Sequence, residues 1–545
     1  MSGIARARDW LATRVTATGF AVVAITLIPI VRMVRHVVGG THLQYSDYWF
    51  MIDELLARGG GIEFEQLFTF RNEHPVFFAK ALYLINIGLS NGSNIVQGLI
   101  VVVVVIAITY LLIHLSRATG STDTLTTLVM AGAAASFLFA PQSVWTFYKG
   151  MSGSAWWTAN LFAVIALVFV HRDRRWAAAG AAVLASISYG TGIVIWPAIA
   201  VATMIRSRRW YPPPEALVGF AATAVWYQVA GEGNSDFSFD ELWLQMRVLA
   251  TLIGALLPGP DRLMEYSGFA VFGTGLALAA YLAWRDKAAA VWVALFLFAV
   301  GNLALITNGR WVFLAYIIGV QGRYGTLAAL VWFGWAMMLI HAARDLMART
   351  DPGDPLVRLA PLHLLPIVAI AIAVGFGGGE ELDEMREAEA AQSRLEIALR
   401  FGFSEGRQSA FGETFPDLGP RLDSIGHYPF TDTRSFDCGL AGSTLVPDSD
   451  MESIGVAVGP VPSTRAPNQI DFDVTVEQDV ELDCVVVVDA ALEVVGAGVQ
   501  DLIGDADDPE TSYEVLARDT AGPYRIIGID QSGAQYEFVV TATGN

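Results

Sequence analysis

Lysine and cysteine are almost missing from this chain, and charge of either sign is scarce. Lys80, Lys149 and Lys287 are the only lysines among 34 basic residues, so the positive charge is nearly all arginine, the bias of a high-GC coding sequence. Cys438 and Cys484 are the only cysteines, and both fall in the last quarter of the chain. Only 16% of the 545 residues are charged, 54% are hydrophobic, and the mean hydropathy is +0.47. That balance excludes an ordinary soluble protein, which has no need of repeated apolar runs near the ~20 residues that cross a bilayer core. Internal repeats and low-complexity tracts are also lacking. A small-residue cleavage site is missing from the first apolar run, which therefore reads as a retained span rather than a signal peptide.

What charge there is divides unevenly. Residues 380–545 carry 33 acidic against 9 basic side chains, a net of −24, which leaves 20 against 25, a net of +5, for residues 1–379. A basic, apolar part is thus joined to an acidic, soluble one. Arginine clusters set the orientation by the positive-inside rule. Arg6, Arg8 and Arg14, then Arg172, Arg174 and Arg175, then Arg206, Arg208 and Arg209, then Arg285 with Lys287, and lastly Arg344, Arg349 and Arg358 all take the cytoplasmic side. About eleven spans follow, near 17–38, 94–115, 124–140, 154–171, 176–189, 192–205, 214–231, 267–284, 288–306, 326–343 and 360–377. Arg32, Arg35 and His36 break the rule at the outer end of the first span. The pair 176–205 is short for two crossings, and Ser188–Gly192 (SYGTG) is read as a turn of the chain inside the membrane, sheltered by neighbouring protein.

The remainder divides in two. Residues 379–429 form an extracytoplasmic connector whose segment 380–402 has the pattern of an amphipathic helix. From 430 to 545, alternating runs such as IDFDVTV and LDCVVVVDA, separated by Gly, Pro and Asp, point to a small β-sandwich. In an oxidising compartment Cys438 and Cys484 are expected to pair.

Sorted by side, the outer face collects Asp47, Asp53, Glu54, Arg71, Glu73, His74, Lys149, Asp236, Asp240, Arg310, Arg323 and Tyr324. Ionisable groups at membrane level are costly and are candidates for function. In SDYWFMIDELLARGG, Ser46 can cap a helix that opens with Asp47, a carboxylate in the first turn being favoured by the helix dipole. Such a helix lies along the interface with its aromatic side, where Tyr48, Ile52 and Leu55 share a face, towards lipid. An ordinary interfacial anchor with solvated acids is the plainer reading of that stretch. A second amphipathic helix is expected from Pro75 in NEHPVFFAKALYL, with Glu73 and His74 at its start, where a capping cluster is again the plainer reading. Glu73, His74 and Asp47 are also a weak divalent-cation set, so no cofactor is certain. Arg323 in GVQGRYGT, Arg310 in NGRW and Lys149 in FYKGMSGS are cations suited to phosphate, although a single arginine often only snorkels.

In this order the features resemble the GT-C-fold integral-membrane glycosyltransferases, among them protein mannosyltransferases, aminoarabinose transferases and actinobacterial arabinofuranosyltransferases. The resemblance rests on SDYWFMIDELLARGG and NEHPVFFAKALYL after the first span, on FYKGMSGSAWWTANLFAVIALVF with the basic turn and hairpin that follow it, and on GRYGT. It covers roughly residues 15–345 and departs at Gly325-Thr326, where the family has proline after Arg-Tyr, and at Tyr189-Gly190-Thr191, where it has Arg-Pro-Glu.

The resemblance implies a GT-C-like catalytic domain over 1–378 that takes sugar from a polyprenyl-phosphate donor to an extracytoplasmic envelope glycan or glycolipid. Asp47 would be the base of an inverting transfer, with Glu73 and His74 beside it. Arg323, Arg310, Lys149 and Tyr324 would hold the donor phosphate. Asp53, Glu54, Arg71 and Trp49 would position the acceptor. The plasma membrane is the expected location, with donor, acceptor and membrane lipid as partners and nucleic acid not among them. A transporter or flippase of lipid-linked or envelope precursors, or a catalytically inactive scaffold, are the alternatives.

Overall fold

The structure is a computed structural model. It describes residues 3–45, 48–57, 61–71, 74–120, 123–230, 241–316, 324–350, 364–377, 394–401, 415–430, 440–447, 451–462, 469–476, 482–500, 511–520, 523–530 and 532–541, with 362, 438 and 480. Packing divides the chain into two units. The first holds residues 1–39, 67–82 and 97–382; the second holds 40–66, 83–96 and 383–545. Two pieces of the loop after the first span thus belong with the C-terminal part, an exchange that contiguous boundaries at 378 and 429 do not anticipate.

The first unit is helical. Among the described residues seven helices are long and apolar enough to cross a membrane: Gly19–Val38, Asn94–Ala118, Gly153–His171, Gly190–Ser207, Asp261–Arg285, Ala290–Trp311 and Gly325–Met347. An eighth is reached if Thr124–Leu138 and Pro141–Tyr148, bent by 40°, count as one broken span. The expectation of eleven is therefore too high among the described residues, and helix length is the reason. The helix Arg175–Ser188 has 14 residues and Leu365–Phe376 has 12, so at about 1.5 Å per residue neither reaches the ~30 Å of a hydrocarbon core. A further apolar helix, Leu242–Gly254, went unforeseen. It packs on the one after it at very close range: added β-carbons at Gly254 and Gly268 would run into the carbonyls of Met264 and Ala250.

In chain order, α1 is Gly3–Val38, α2 Tyr48–Leu55, α3 Phe77–Ser90, α4 Asn94–Ala118, α5 Thr124–Leu138, α6 Trp145–Tyr148, α7 Gly150–His171, α8 Arg175–Ser188, α9 Ile195–Ser207, α10 Pro214–Ala230, α11 Leu242–Gly254, α12 Asp261–Arg285, α13 Ala290–Tyr316, α14 Gly325–Met347 and α15 Leu365–Phe376. A two-strand hairpin, β1 (Phe70–Arg71) against β2 (His74–Pro75), precedes α3. The α14 span is central, with 83% of its apolar window buried, whereas α1 is peripheral at 17%. Arg32 of α1, out of place by the charge rule, donates to the Gly375 carbonyl at 2.7 Å and so satisfies an otherwise open C-terminal carbonyl of α15.

One end of the unit is knitted by the arginine clusters. Arg172 meets His114 at 2.9 Å, Arg206 takes both oxygens of Asp173 at 3.0–3.1 Å, and Arg208 donates to the Ala283 carbonyl. Arg344 reaches the Gly120 carbonyl at 2.6 Å and Asp123 at 2.8 Å, and Asp286 pairs with His341 at 2.6 Å. These contacts join the ends of α4, α5, α7, α9, α12 and α14, so the basic turns after α7, α9, α12 and α14 gather at one end of the first unit.

The second unit has a closed seven-stranded barrel rather than a sandwich. Its strands are β3 (Glu452–Pro462), β4 (Gln469–Val476), β5 (Leu482–Val488), β6 (Val494–Gln500), β7 (Thr511–Arg518), β8 (Arg525–Asp530) and β9 (Gln535–Thr541), in the order β3-β4-β7-β6-β5-β8-β9. Parallel pairing of β3 with β9 closes the ring and removes both free edges, which two open sheets would have left exposed. Ile470, Phe472, Val474 and Val476 alternate inwards along β4 and meet Val485, Val487, Val515, Ile526 and Phe538 in the core. Each such burial is worth about 1.5–3 kcal/mol. Cys438 and Cys484 are joined by a disulfide, with Cα atoms 5.9 Å apart. The same unit contains α2, residues 83–96, the helical residues 394–401 and the helix Phe415–Ser424.

Candidate functional site

At the end of the first unit opposite the arginine network lies a cavity of about 260 Å³. Five helices that carry basic residues or turns at one end bring different side chains to the other: Trp156 from the start of α7, Tyr189 just past α8, Tyr227 and Gln228 near the end of α10, Asn308 and Arg310 near the end of α13, and Tyr324 at the start of α14. His74 completes the wall from the hairpin of β1 and β2, in which Arg71 lies opposite His74.

The second amphipathic helix therefore begins at Phe77, and Pro75 belongs to the hairpin instead of the first helical turn. Phe70 anchors the hairpin edge-on against Trp226 and Tyr227, at 5.0 and 6.0 Å between ring centroids. Lys80, fully buried in α3 and not anticipated, donates to the Thr69 hydroxyl at 2.8 Å just before that hairpin.

Aromatic rings pass contact from one wall to the other. His74 lies 4.3 Å from Tyr189, Tyr189 lies 5.5 Å from Trp156, and Trp156 stacks on Tyr324 at 5.0 Å. The Tyr324 hydroxyl is 3.5 Å from the Arg310 guanidinium. The SYGTG segment forms the floor as a 3-10 turn, Gly190–Val194, between α8 and α9. Gly190 admits His74 there, since an added β-carbon would overlap the imidazole. Tyr227 fixes the turn by donating to the Ser186 and Tyr189 carbonyls, at 2.5 and 3.2 Å. Arg310 is the cation of this wall, and no described carboxylate lines it. A cavity so built attracts an anion, offers ring faces to an apolar or sugar surface, and has amide groups in Gln228 and Asn308 for hydroxyls.

The other expected residues are dispersed. Asp47, Glu73 and Arg323 lie outside the described residues, as do Asp236 and Asp240. Lys149 sits over the Trp145 ring at 4.7 Å, between α6 and α7, and does not line the cavity. Asp53 is held by Arg421, which donates to its carboxylate and to its carbonyl, each at 2.6 Å. Glu54 is half-buried on the same helix.

Trp49 is fully buried and donates to the Gln44 carbonyl at 3.1 Å. Tyr48, Trp49, Met51, Ile52 and Leu55 are all buried, so α2 is a packed core helix and not one that rests an aromatic side on lipid. Its partner is His427, whose Nε2 lies 2.7 Å from the Tyr48 hydroxyl while Nδ1 contacts the Tyr428 carbonyl. Burial pushes the His427 pKa down to about 4 and raises that of Tyr48.

Sequence reasoning picked His74, Arg310 and Tyr324 but missed Trp156, Tyr189, Tyr227, Gln228 and Asn308. The available signal was SYGTG, a polar break between two short apolar runs. Among the described residues no three His, Cys, Asp or Glu side chains gather as a metal set. Comparison with family models, with curated proteins and with solved structures returns no match.

Proposed function

We propose that this protein is a membrane glycosyltransferase that takes a sugar from a polyprenyl-phosphate donor to an envelope glycan or glycolipid. The observation that carries this reading is the ring-lined cavity with Arg310 and Tyr324 at one side. Its ~260 Å³ falls just below the range of about 300–1,000 Å³ for drug-sized ligands, which suits a phosphate with one sugar and is too small for an oligosaccharide. Its place at helix ends fits a donor whose tail stays in the bilayer.

In this mechanism phosphate leaves as an anion and needs no acid. Arg310, with Arg323, holds the charge that develops on it, and such donors contribute most when fixed in advance. The Tyr324 hydroxyl donates to the same oxygens. Tyr189 and Trp156 stack on the sugar, and Gln228 and Asn308 bond its hydroxyls. Asp47 takes the proton of the acceptor hydroxyl as it attacks the anomeric carbon from the far face, so the configuration inverts. Glu73 and His74 orient the acceptor.

The test is transfer by the purified full-length chain in liposomes, offered a panel of radiolabelled polyprenyl-phosphate pentoses and hexoses with membrane glycan acceptors. Transfer that Asp47→Asn abolishes, with folded yield unchanged, supports the reading. Full activity in Asp47→Asn removes Asp47 as base, and no transfer from any donor removes the function.

A further inference from the structure

We propose that a second cavity, at the arginine-rich end of the first unit, binds the phosphate-bearing headgroup of an anionic membrane lipid. It has a volume of about 330 Å³ and lies where the start of α8, the end of α9 and the start of α10 converge. Arg175, Arg206 and Arg209 line it. Two acids line it as well: Asp173, neutralised by Arg206 at 3.0 Å, and Glu215, in the first turn of α10.

Arg175 and Arg209 make no ion pair or hydrogen bond among the described residues; they rest near the rings of Trp176 and Tyr211, at 5.6 and 5.7 Å. The Nε–H of Arg206 is buried and likewise without an acceptor. The first amides of α8 have no side-chain cap, so N–H donors add to the guanidinium donors at this mouth. Planar guanidinium groups and free helix amides together are phosphate chemistry.

The surroundings decide between a lipid and a free phosphate. Trp176, Trp210, Tyr211 and Trp284 are exposed at this end of α8, α9 and α12, and such rings collect at the level of lipid headgroups. Val201, Met204 and Ile205, on another face of α9, line an open apolar groove of about 330 Å³ with Leu276, Ala280 and Leu297. A headgroup pocket and an acyl-chain groove thus share one helix. Basic pockets between helices at a membrane surface are suited to anionic headgroups. The site lies at the other end of the helices from the transfer cavity and does not depend on it.

The experiment is native mass spectrometry of the full-length chain in detergent, titrated with phosphatidylglycerol, with neutral phosphatidylcholine, and with inorganic phosphate in excess. Phosphatidylglycerol is expected to bind at least tenfold more tightly than phosphatidylcholine. The double variant Arg175→Gln/Arg209→Gln is expected to weaken it at least tenfold, while Arg262→Gln, at the opposite end of α12, leaves it unchanged. Equal binding of the two lipids, or equal loss in Arg262→Gln, would overturn the site. Displacement of phosphatidylglycerol by inorganic phosphate would overturn the lipid as its ligand. A double variant that elutes and melts as the parent yet binds normally would also refute the proposal.

Discussion

Acidification should loosen the second unit through a single imidazole. His427 is fully buried, its Nδ1 faces the Tyr428 carbonyl and its Nε2 faces the Tyr48 hydroxyl. That network assigns the proton to Nδ1 and leaves Nε2 to accept from Tyr48. A second proton would set two donors against each other and leave a charge on a fully buried ring. Burial accordingly lowers the pKa from 6.5 to about 4.

The sign follows from proton counts. Between pH 6.5 and 4 the unfolded chain holds a proton that the folded chain lacks, so stability is complete above 6.5 and falls as pH drops. At about 1.36 kcal/mol per unit the loss reaches about 3 kcal/mol at pH 4, on the order of a 100-fold rise in opening. Native-state hydrogen exchange on the full-length chain in nanodiscs reads this at the amides of Ile52, Glu54 and Leu55, after correction for intrinsic rates. His427→Gln keeps an acceptor for Tyr48 but does not titrate, and should flatten the response over that window. Equal protection at pH 7 and pH 4 in the parent, or the same pH slope in the variant, would refute the reasoning.

Other substitutions give separate checks. Gly92 sits at φ +79° with the His427 ring where a β-carbon would lie, so Gly92→Ala should cost at least ~2 kcal/mol from backbone strain and displacement of the ring, read as denaturant midpoint of the second unit. Cys438→Ser opens a disulfide that spans 46 residues and should cost the barrel about 2–4 kcal/mol in chemical unfolding, with the strand order retained. Arg310→Ala should reduce sugar transfer about 100- to 1,000-fold while expression and melting stay near the parent, because the side chain is half-buried at a cavity wall. Arg421→Ala removes the donors to Asp53 and should destabilise α2 by about 2 kcal/mol, visible as faster exchange of its amides.

The helical and β parts were legible in the sequence, and so was the gathering of basic turns at one end of the helices. Arg172, Arg206, Arg208 and Arg344 mark turns that meet at one end, and the patterned runs around Ile470 and Val485 are strands. Span number was less legible, because hydropathy does not tell a 14-residue helix such as α8 from a full crossing. Closure of the barrel escaped as well: β6, VVGAGVQ, is broken by two glycines, and β7, TSYEVLAR, does not alternate cleanly, so two of seven strands went unread.

Tyr48 misled because an aromatic on a short acidic helix looks interfacial, and only tertiary packing against His427 buries it. The cavity was half legible. Arg310 and Tyr324 stood out as polar residues near span ends, whereas Trp156 and Tyr227 look like ordinary span residues until the fold turns them to one wall.

The central claim is tested most directly by cryo-electron microscopy of the full-length chain in nanodiscs with polyprenyl phosphate added. Phosphate density within hydrogen-bond reach of Arg310 and Tyr324, with the tail between the spans, is the predicted result. A lipid phosphate bound elsewhere with this cavity empty, or a continuous passage through the membrane midplane in place of a closed wall, would contradict it.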